Sequence, residues 1–153
     1  MIDYQKINGA LLKKKPDVII FEGWCVGARH EKKSTLKNSI NRLEKNEDKN
    51  MVWRNTVNSE LKNNYLRLFK KIDYLVYLKI PSFRYVIKWR SLQEKKLKRK
   101  TKGKKIMNNN QISRFIMFYE RITKNMMNSI SKKADILISL DSKHRLKRLR
   151  IKS

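Results

Sequence analysis

Residues 16–27 read PDVIIFEGWCVG, and this stretch decides the fold class. Val18, Ile19 and Ile20 are β-branched and run into Phe21 with no polar residue between them. Such a run describes a strand buried on both faces, as in a parallel sheet covered by helices. Glu22 then sets a carboxylate at the strand's C-terminal end, and Gly23 and Gly27 break the chain into a turn. In open α/β sheets ligands gather at that end, so an acid there is placed to hold a hydrated Mg2+ beside a phosphate. The plainer reading is a strand followed by an acidic turn, with Glu22 held by a hydrogen bond to the next turn.

Working outward, residues 30–49 are rich in Lys, Asn and Ser and read as a loop with one short helix. Trp53, Val57, Leu61, Tyr65 and Leu68 recur every three or four residues, which predicts one amphipathic helix of about 18 residues. DYLVYLKI at 73–80 predicts a second strand, stopped by Pro81, with Ser82 as N-cap of the next helix. That helix carries Phe83, Val86, Ile87, Arg90 and Glu94 and turns almost wholly basic over 95–105, where Gly103 interrupts the run. Asn108 to Asn110 open a last helix, whose core stripe is Ile112, Phe115, Ile116, Tyr119, Ile122, Met126 and Ile130. Residues 135–140 predict a third strand, followed by a basic tail over 143–152. Short strands alternating with helices call for right-handed crossovers and a mainly parallel sheet, an α/β domain.

The chain has 153 residues, 40% of them hydrophobic, which suits one domain with one core. Lys and Arg number 39 against 13 Asp and Glu, for a formal net charge of +26. A surplus of that size attracts polyanions and nucleotides without a designed site, so nonspecific polyanion binding at low salt is expected. Much of it is lysine travelling with Asn and Ile, a pattern that A/T-rich codon usage also produces. Cys25 is the only cysteine, so no intrachain disulfide forms, and a reducing cytoplasm fits. His30 and His144 have no ligand spacing around them. No apolar run approaches the roughly 18 to 20 residues that span a bilayer, so no membrane association is expected.

Several ordered blocks carry a resemblance: FEGWCVG at 21–27, MVWRNTVNSEL at 51–61, IDYLVYLKIPSF at 72–83, KWRSLQE at 88–94 and SRFIMFYERIT at 113–123. Together they resemble the bacterial P-loop kinases related to D-glycerate 3-kinase, within the uridine kinase and phosphoribulokinase group, over residues 16–148. Residues 1–15 and 149–153 are poorly defined ends. The resemblance implies a P-loop nucleoside-triphosphate hydrolase fold, ATP with Mg2+, and transfer of the terminal phosphoryl group to a hydroxyl of a small molecule such as glycerate. It places Glu22 at the acidic position that assists Mg2+ or its water. Arg90 falls in a lid over 90–108 that closes on the phosphates, with Arg114 and Arg121 on the following helix as further phosphate contacts. From the residues alone, Arg90 equally suits a surface pair with Glu94 at i,i+4, and Arg121 beside Glu120 suits a solvated helix face. Trp24, Trp53 and Trp89 read as packing residues.

The departure is as informative as the match. Such kinases carry GxxxxGK[ST], whose backbone N–H groups cradle the phosphates. Gly9, Gly23, Gly27 and Gly103 are the only glycines here, and none begins that motif. The chain therefore resembles one partial kinase domain, the C-terminal portion without its P-loop, and is expected to be inactive alone. A truncated or split gene, a two-chain kinase with a separate N-terminal P-loop half, and a noncatalytic remnant all remain open. The rival reading is a basic nucleic-acid-binding protein, against which stand the lack of zinc spacing, of an RNA-binding aromatic signature and of a helix-turn-helix.

Overall fold

The computed structural model describes residues 16–100 and 106–152. The ends of the chain and part of the basic run over 95–105, including Gly103, lie outside the described residues, so the lid over 90–108 is described only in part.

Helices α1 (Lys33–Leu36), α2 (Arg42–Glu47), α3 (Val52–Lys62) and α4 (Asn64–Phe69) lead to strand β1 (Val76–Lys79). Helices α5 (Arg84–Lys100) and α6 (Asn109–Ser129) follow, then a 3-10 turn at Ile130–Lys132, β2 (Ile136–Leu140) and β3 (Leu146–Ile151). The sheet runs β1-β2-β3. β1 and β2 are parallel, with Val76 opposite Ile136 and Lys79 opposite Ser139. β2 and β3 are antiparallel, with an irregularity between Ser139 and Leu140. The class is α/β, as expected, with a sheet that is parallel on one side only.

Local chemistry explains the longest element. Asn108 accepts from Gln111 N–H at 3.0 Å, and the Gln111 side chain accepts from Asn108 N–H at 2.8 Å. This reciprocal cap satisfies two donors that a helix start otherwise leaves orphaned. The apolar stripe of α6 then serves two clusters. Met126 packs with Ala28, Leu61, Ile130 and Ala134, and Ile112 and Ile116 pack with Val86. Gly27 closes the turn onto the first cluster with φ +79, and a Cβ there would stand 3.2 Å from the Leu75 side chain. Both the backbone angle and the close approach favour glycine.

Five expectations need correction. Residues 30–49 hold two short helices, α1 and α2, where one was expected, because Asn41 accepts from Glu44 N–H and starts the second. Residues 18–21 belong to no strand of the sheet, and Val18, Ile19, Ile20 and Phe21 are 75, 81, 86 and 54% exposed. A strand is buried only when neighbours lie on its faces and edges, and no described segment pairs with this one. The single helix expected over 53–68 is two, because Asn63 (φ −106, ψ −81) leaves the helical region between α3 and α4. Ser82 does not cap α5 with its side chain, whose oxygen is buried without a partner; its carbonyl accepts from Tyr85 N–H instead. The basic tail is strand β3, held by backbone pairing to β2 while its own residues stay exposed.

Helices α1 to α3 are fixed to α6 by buried charge. Arg121 of α6 donates to both Glu44 oxygens, at 2.8 and 2.7 Å, and to the Asn38 carbonyl at 2.7 Å. Arg54 of α3 donates to the Leu36 carbonyl at 2.7 Å and pairs with Asp48 at 3.1 Å. Asp48 in turn accepts from Trp53 and Arg54 N–H, capping the start of α3. Burial alone would raise the Glu44 pKa. The Arg121 hydrogen bonds, the Ile40 N–H and the nearby charges of Arg121 and Arg54 outweigh it, so the carboxyl lies below its ordinary value.

Urea unfolding of three variants has expected outcomes. Ile116→Ala should cost about 2 to 5 kcal/mol, as for a fully buried aliphatic side chain, whereas Ile20→Ser should stay within about 0.5 kcal/mol, as for an exposed site. Glu44→Gln removes the carboxylate to which Arg121 donates two hydrogen bonds and should cost about 3 kcal/mol near neutral pH. Because the folded-state pKa of Glu44 is depressed, its contribution is complete above the usual carboxylate range and is lost as pH falls through the depressed value. The Gln variant should therefore lose less stability than the parent on acidification from about pH 5 to pH 2.

Candidate functional site

Helix α6 builds a ladder of rings toward the acidic turn. Trp24, two residues after Glu22, stacks on Tyr119 with centroids 5.3 Å apart, and its indole N–H donates to Thr123 Oγ1 at 3.0 Å. Phe115 lies 5.1 Å from Tyr119, and the Arg90 guanidinium sits 5.4 Å over the Phe115 ring. Ring faces carry negative charge density, so this seat favours a cation. The ladder leads from the FEGW turn to α5 through packed side chains. No hydrogen bond or ion pair joins Glu22 directly to Arg90, Arg114 or Arg121 among the described residues. Glu22 is exposed and has no ion-pair partner among them.

The three arginines are placed differently. Arg90 is paired with Glu94 one turn along α5 and bonded to Gln93 at 2.7 Å, while its Nε is buried without a partner. Arg114 pairs with Glu47 on the surface, one of its bonds at 2.7 Å. The hydrogen bond between them lowers the Glu47 pKa and raises that of Arg114. Arg121 is committed to Glu44 and Glu31 and is largely buried, unlike the solvated face its sequence neighbours suggest.

A second cluster lies beside Arg90, at the C-terminal end of β2. Trp89 and His144 rings are 3.8 Å apart and tilted by 34°. A pocket of about 440 Å³ runs along them, with Lys88, Lys95 and Lys143 in its wall. The Trp89 indole N–H is buried without a partner. Asp141 shapes the turn that presents His144. It accepts from Arg145 N–H at 2.9 Å and Lys143 N–H at 2.7 Å and binds the Arg145 side chain, which holds its pKa at about 2. His144 takes φ +64 in this turn, a conformation that His tolerates better than most residues. Sequence reasoning passed over this cluster because Trp89 and His144 lie on α5 and in the β2–β3 turn, and no local spacing links them. The available signal was DSKH at 141–144, a turn-forming run directly after a strand.

A cavity of about 420 Å³ opens between α3 and α6, with Trp53, Val57, Leu61 and Phe118 in its wall and the Arg54 and Arg121 network beneath. The charges of Glu31, Glu44, Asp48, Arg54 and Arg121 are paired with one another, and the remaining wall offers mainly apolar surface. Among the described residues no group of three or more His, Cys, Asp or Glu is placed to hold a metal ion, and no helix is long and apolar enough to cross a membrane.

No known family profile matches the chain, and no curated protein matches its sequence. Among solved structures it is similar to a D-glycerate 3-kinase from Cryptococcus neoformans var. grubii serotype A, with 19% identity and a TM-score of 0.68. The match covers 92% of this chain and 52% of that one, so the chain spans about half the length of the kinase it matches. At this identity the likeness shows that the two share a fold over the matched length.

Proposed function

We propose that the chain is the lid-bearing portion of an ATP-dependent kinase of the glycerate kinase-like type, with Mg2+ as cofactor and a small-molecule hydroxyl as acceptor. The observation that carries this reading is the Trp89–His144 pocket: an aromatic pair, an unpartnered indole N–H and three lysines gathered at the C-terminal end of a parallel strand. Rings offer a stacking surface to a purine, and lysines offer mobile donors to a triphosphate. The sharing of a fold with a D-glycerate 3-kinase supports the same assignment.

The chain's own residues then divide the work. Lys88, Lys95 and Lys143 hold phosphate charge. Arg90, balanced by Glu94 and seated over Phe115, supplies a rigid fork close by. Glu22, exposed and unpaired among the described residues, fits an ion that keeps several waters and takes only one or two carboxylates from protein. Bound Mg2+ would neutralise charge on the transferring phosphoryl group, in line with phosphoryl transfer generally. Arg114 and Arg121 reach phosphate on this reading only by leaving Glu47 and Glu44, and Arg121 is the more firmly held. The phosphate cradle is supplied from outside residues 16–152, either on the same polypeptide or on another, and residues 1–153 alone transfer no phosphoryl group. A reading as a nucleic-acid-binding protein draws on a separate observation, the exposed cations Lys147 and Arg148 along β3 and Lys152 just beyond it.

ATP with Mg2+ titrated into the chain at near-physiological salt, followed by calorimetry, distinguishes the two. Binding should survive that salt, weaken at least about 10-fold in Trp89→Ala, as loss of a stacking contact predicts, and weaken in Glu22→Gln only when Mg2+ is present. Binding of single-stranded RNA that persists at the same salt while ATP binding vanishes would overturn the kinase reading, as would robust ATP turnover by the chain alone for the proposed inactivity.

A further inference from the structure

The cavity between α3 and α6 combines an aromatic wall with one unspent charge. Trp53 and Phe118 stand in the wall, half-exposed, with ring centroids 6.3 Å apart, and Val57 and Met117 extend its apolar surface. Each acid in the wall is already bonded: Glu44 by Arg121 and Ile40 N–H, Asp48 by Arg54, and Glu31 by Arg121 and Thr35. Arg29 differs from them. Its side chain is exposed in the same wall and has no ion-pair partner among the described residues. The backbone that carries it is nonetheless held from both helices. Asn125 of α6 donates to the Arg29 carbonyl at 2.7 Å, while Asn58 of α3 donates to the Glu31 carbonyl at 3.2 Å and accepts the Glu31 N–H at 2.7 Å. Each of these amide nitrogens carries two protons, so among the described residues each keeps a second N–H to donate.

We infer that this cavity binds a small aromatic carboxylate, with its ring against Trp53 and Phe118 and its carboxylate on Arg29. Its volume of about 420 Å³ lies within the roughly 300 to 1,000 Å³ usual for small-ligand sites, which join apolar walls to a few placed polar groups. The charges select the head group. A cationic ligand would find every acid in the wall bonded and Arg29 opposing it, whereas a carboxylate meets a guanidinium of matching planar geometry. The rings select the body, since aromatic faces and edges pack on one another beyond simple area burial. A polyanion gains little here, because only one cation in the wall is unpaired and the apolar remainder offers phosphates no donor. A second copy of this chain is opposed by the repulsion of two bodies of formal charge +26. The inference does not depend on the kinase reading, for this wall shares no residue with the Trp89–His144 pocket.

Calorimetry at near-physiological salt with two probes, 2-naphthoate and its neutral isostere 2-naphthamide, tests the site. The carboxylate should bind about 3- to 10-fold more tightly than the amide, as for one charge-assisted contact at a partly exposed position. Arg29→Gln should bring the two probes to equal affinity. Lys45→Gln removes the same charge from an exposed position outside the wall and should leave the preference intact. Val57→Trp, at a half-exposed wall position, should abolish binding of both probes. Methyl spectra of the unsubstituted chain locate the site independently: 2-naphthoate should shift the signals of Val57 and Met117 and leave those of Val86 and Ile112, in the other core cluster, in place. Failure of 2-naphthoate to bind, binding that survives Val57→Trp, or shifts confined to other methyls would overturn the inference. So would a preference that persists in Arg29→Gln or is lost equally in Lys45→Gln. Concentration-dependent broadening of Met117 in the free protein would assign the wall to a second copy instead.

Discussion

The carboxylate of Glu44 is the interaction on which the helical half of the molecule depends. It takes both of its strong bonds from Arg121 and lies beside Arg54, and it accepts the Ile40 N–H as well. Through it α2 is tied to α6 and α3 to the segment before α2. More than half of the described acids are paired in the same way. Glu31, Glu47, Asp48, Glu94, Glu120 and Asp141 are each paired with an arginine or lysine. In a chain with 13 acids against 39 bases most cations have no anion to pair with, and exposed unpaired bases lie on the early helices, at Lys33, Arg42, Lys45 and Lys62, as well as on α5, the β2–β3 turn and β3. The basicity is therefore spread over the surface.

That distribution bears on the choice between nucleotide and nucleic acid. A solvated cationic face attracts any polyanion, and salt weakens the attraction steeply. Lysines on long flexible stems add no discrimination by themselves. What distinguishes the wall of the Trp89 pocket is the conjunction of rings, an unsatisfied indole donor and cations within one concave site. Concavity and unsatisfied polar atoms mark small-molecule sites more than they mark backbone-tracking surfaces.

The elements legible in the sequence are those whose cause is local. Asn108 with Gln111 three residues on, before an apolar stripe, specifies the start of α6 and its buried face. VYLK and ILISL read as strands because β-branched and aromatic residues fit a pleated surface. The spacing of Arg90 and Glu94 gave their pairing as one of two readings. Illegible were the features fixed by distant partners. VIIF has the composition of a buried strand, yet burial is a property of neighbours, and none of those described covers it. LKRLRI lacks clean alternation, and only its pairing with β2 makes it a strand. The break at Asn63 interrupts a stripe that is continuous on paper. Arg121 looked solvent-facing beside Glu120, but Glu44, 77 residues earlier, draws it inward.

The ring ladder links these parts physically. Glu22 lies on a segment whose preceding residues are unpaired, while Trp24, two positions later, is locked to α6 by stacking and a hydrogen bond. The backbone is therefore held on the far side of Glu22 by the stacked and hydrogen-bonded Trp24, and on the near side by no backbone pairing among the described residues. A carboxylate fixed on one flank only keeps conformational freedom that any ligand binding it would have to remove.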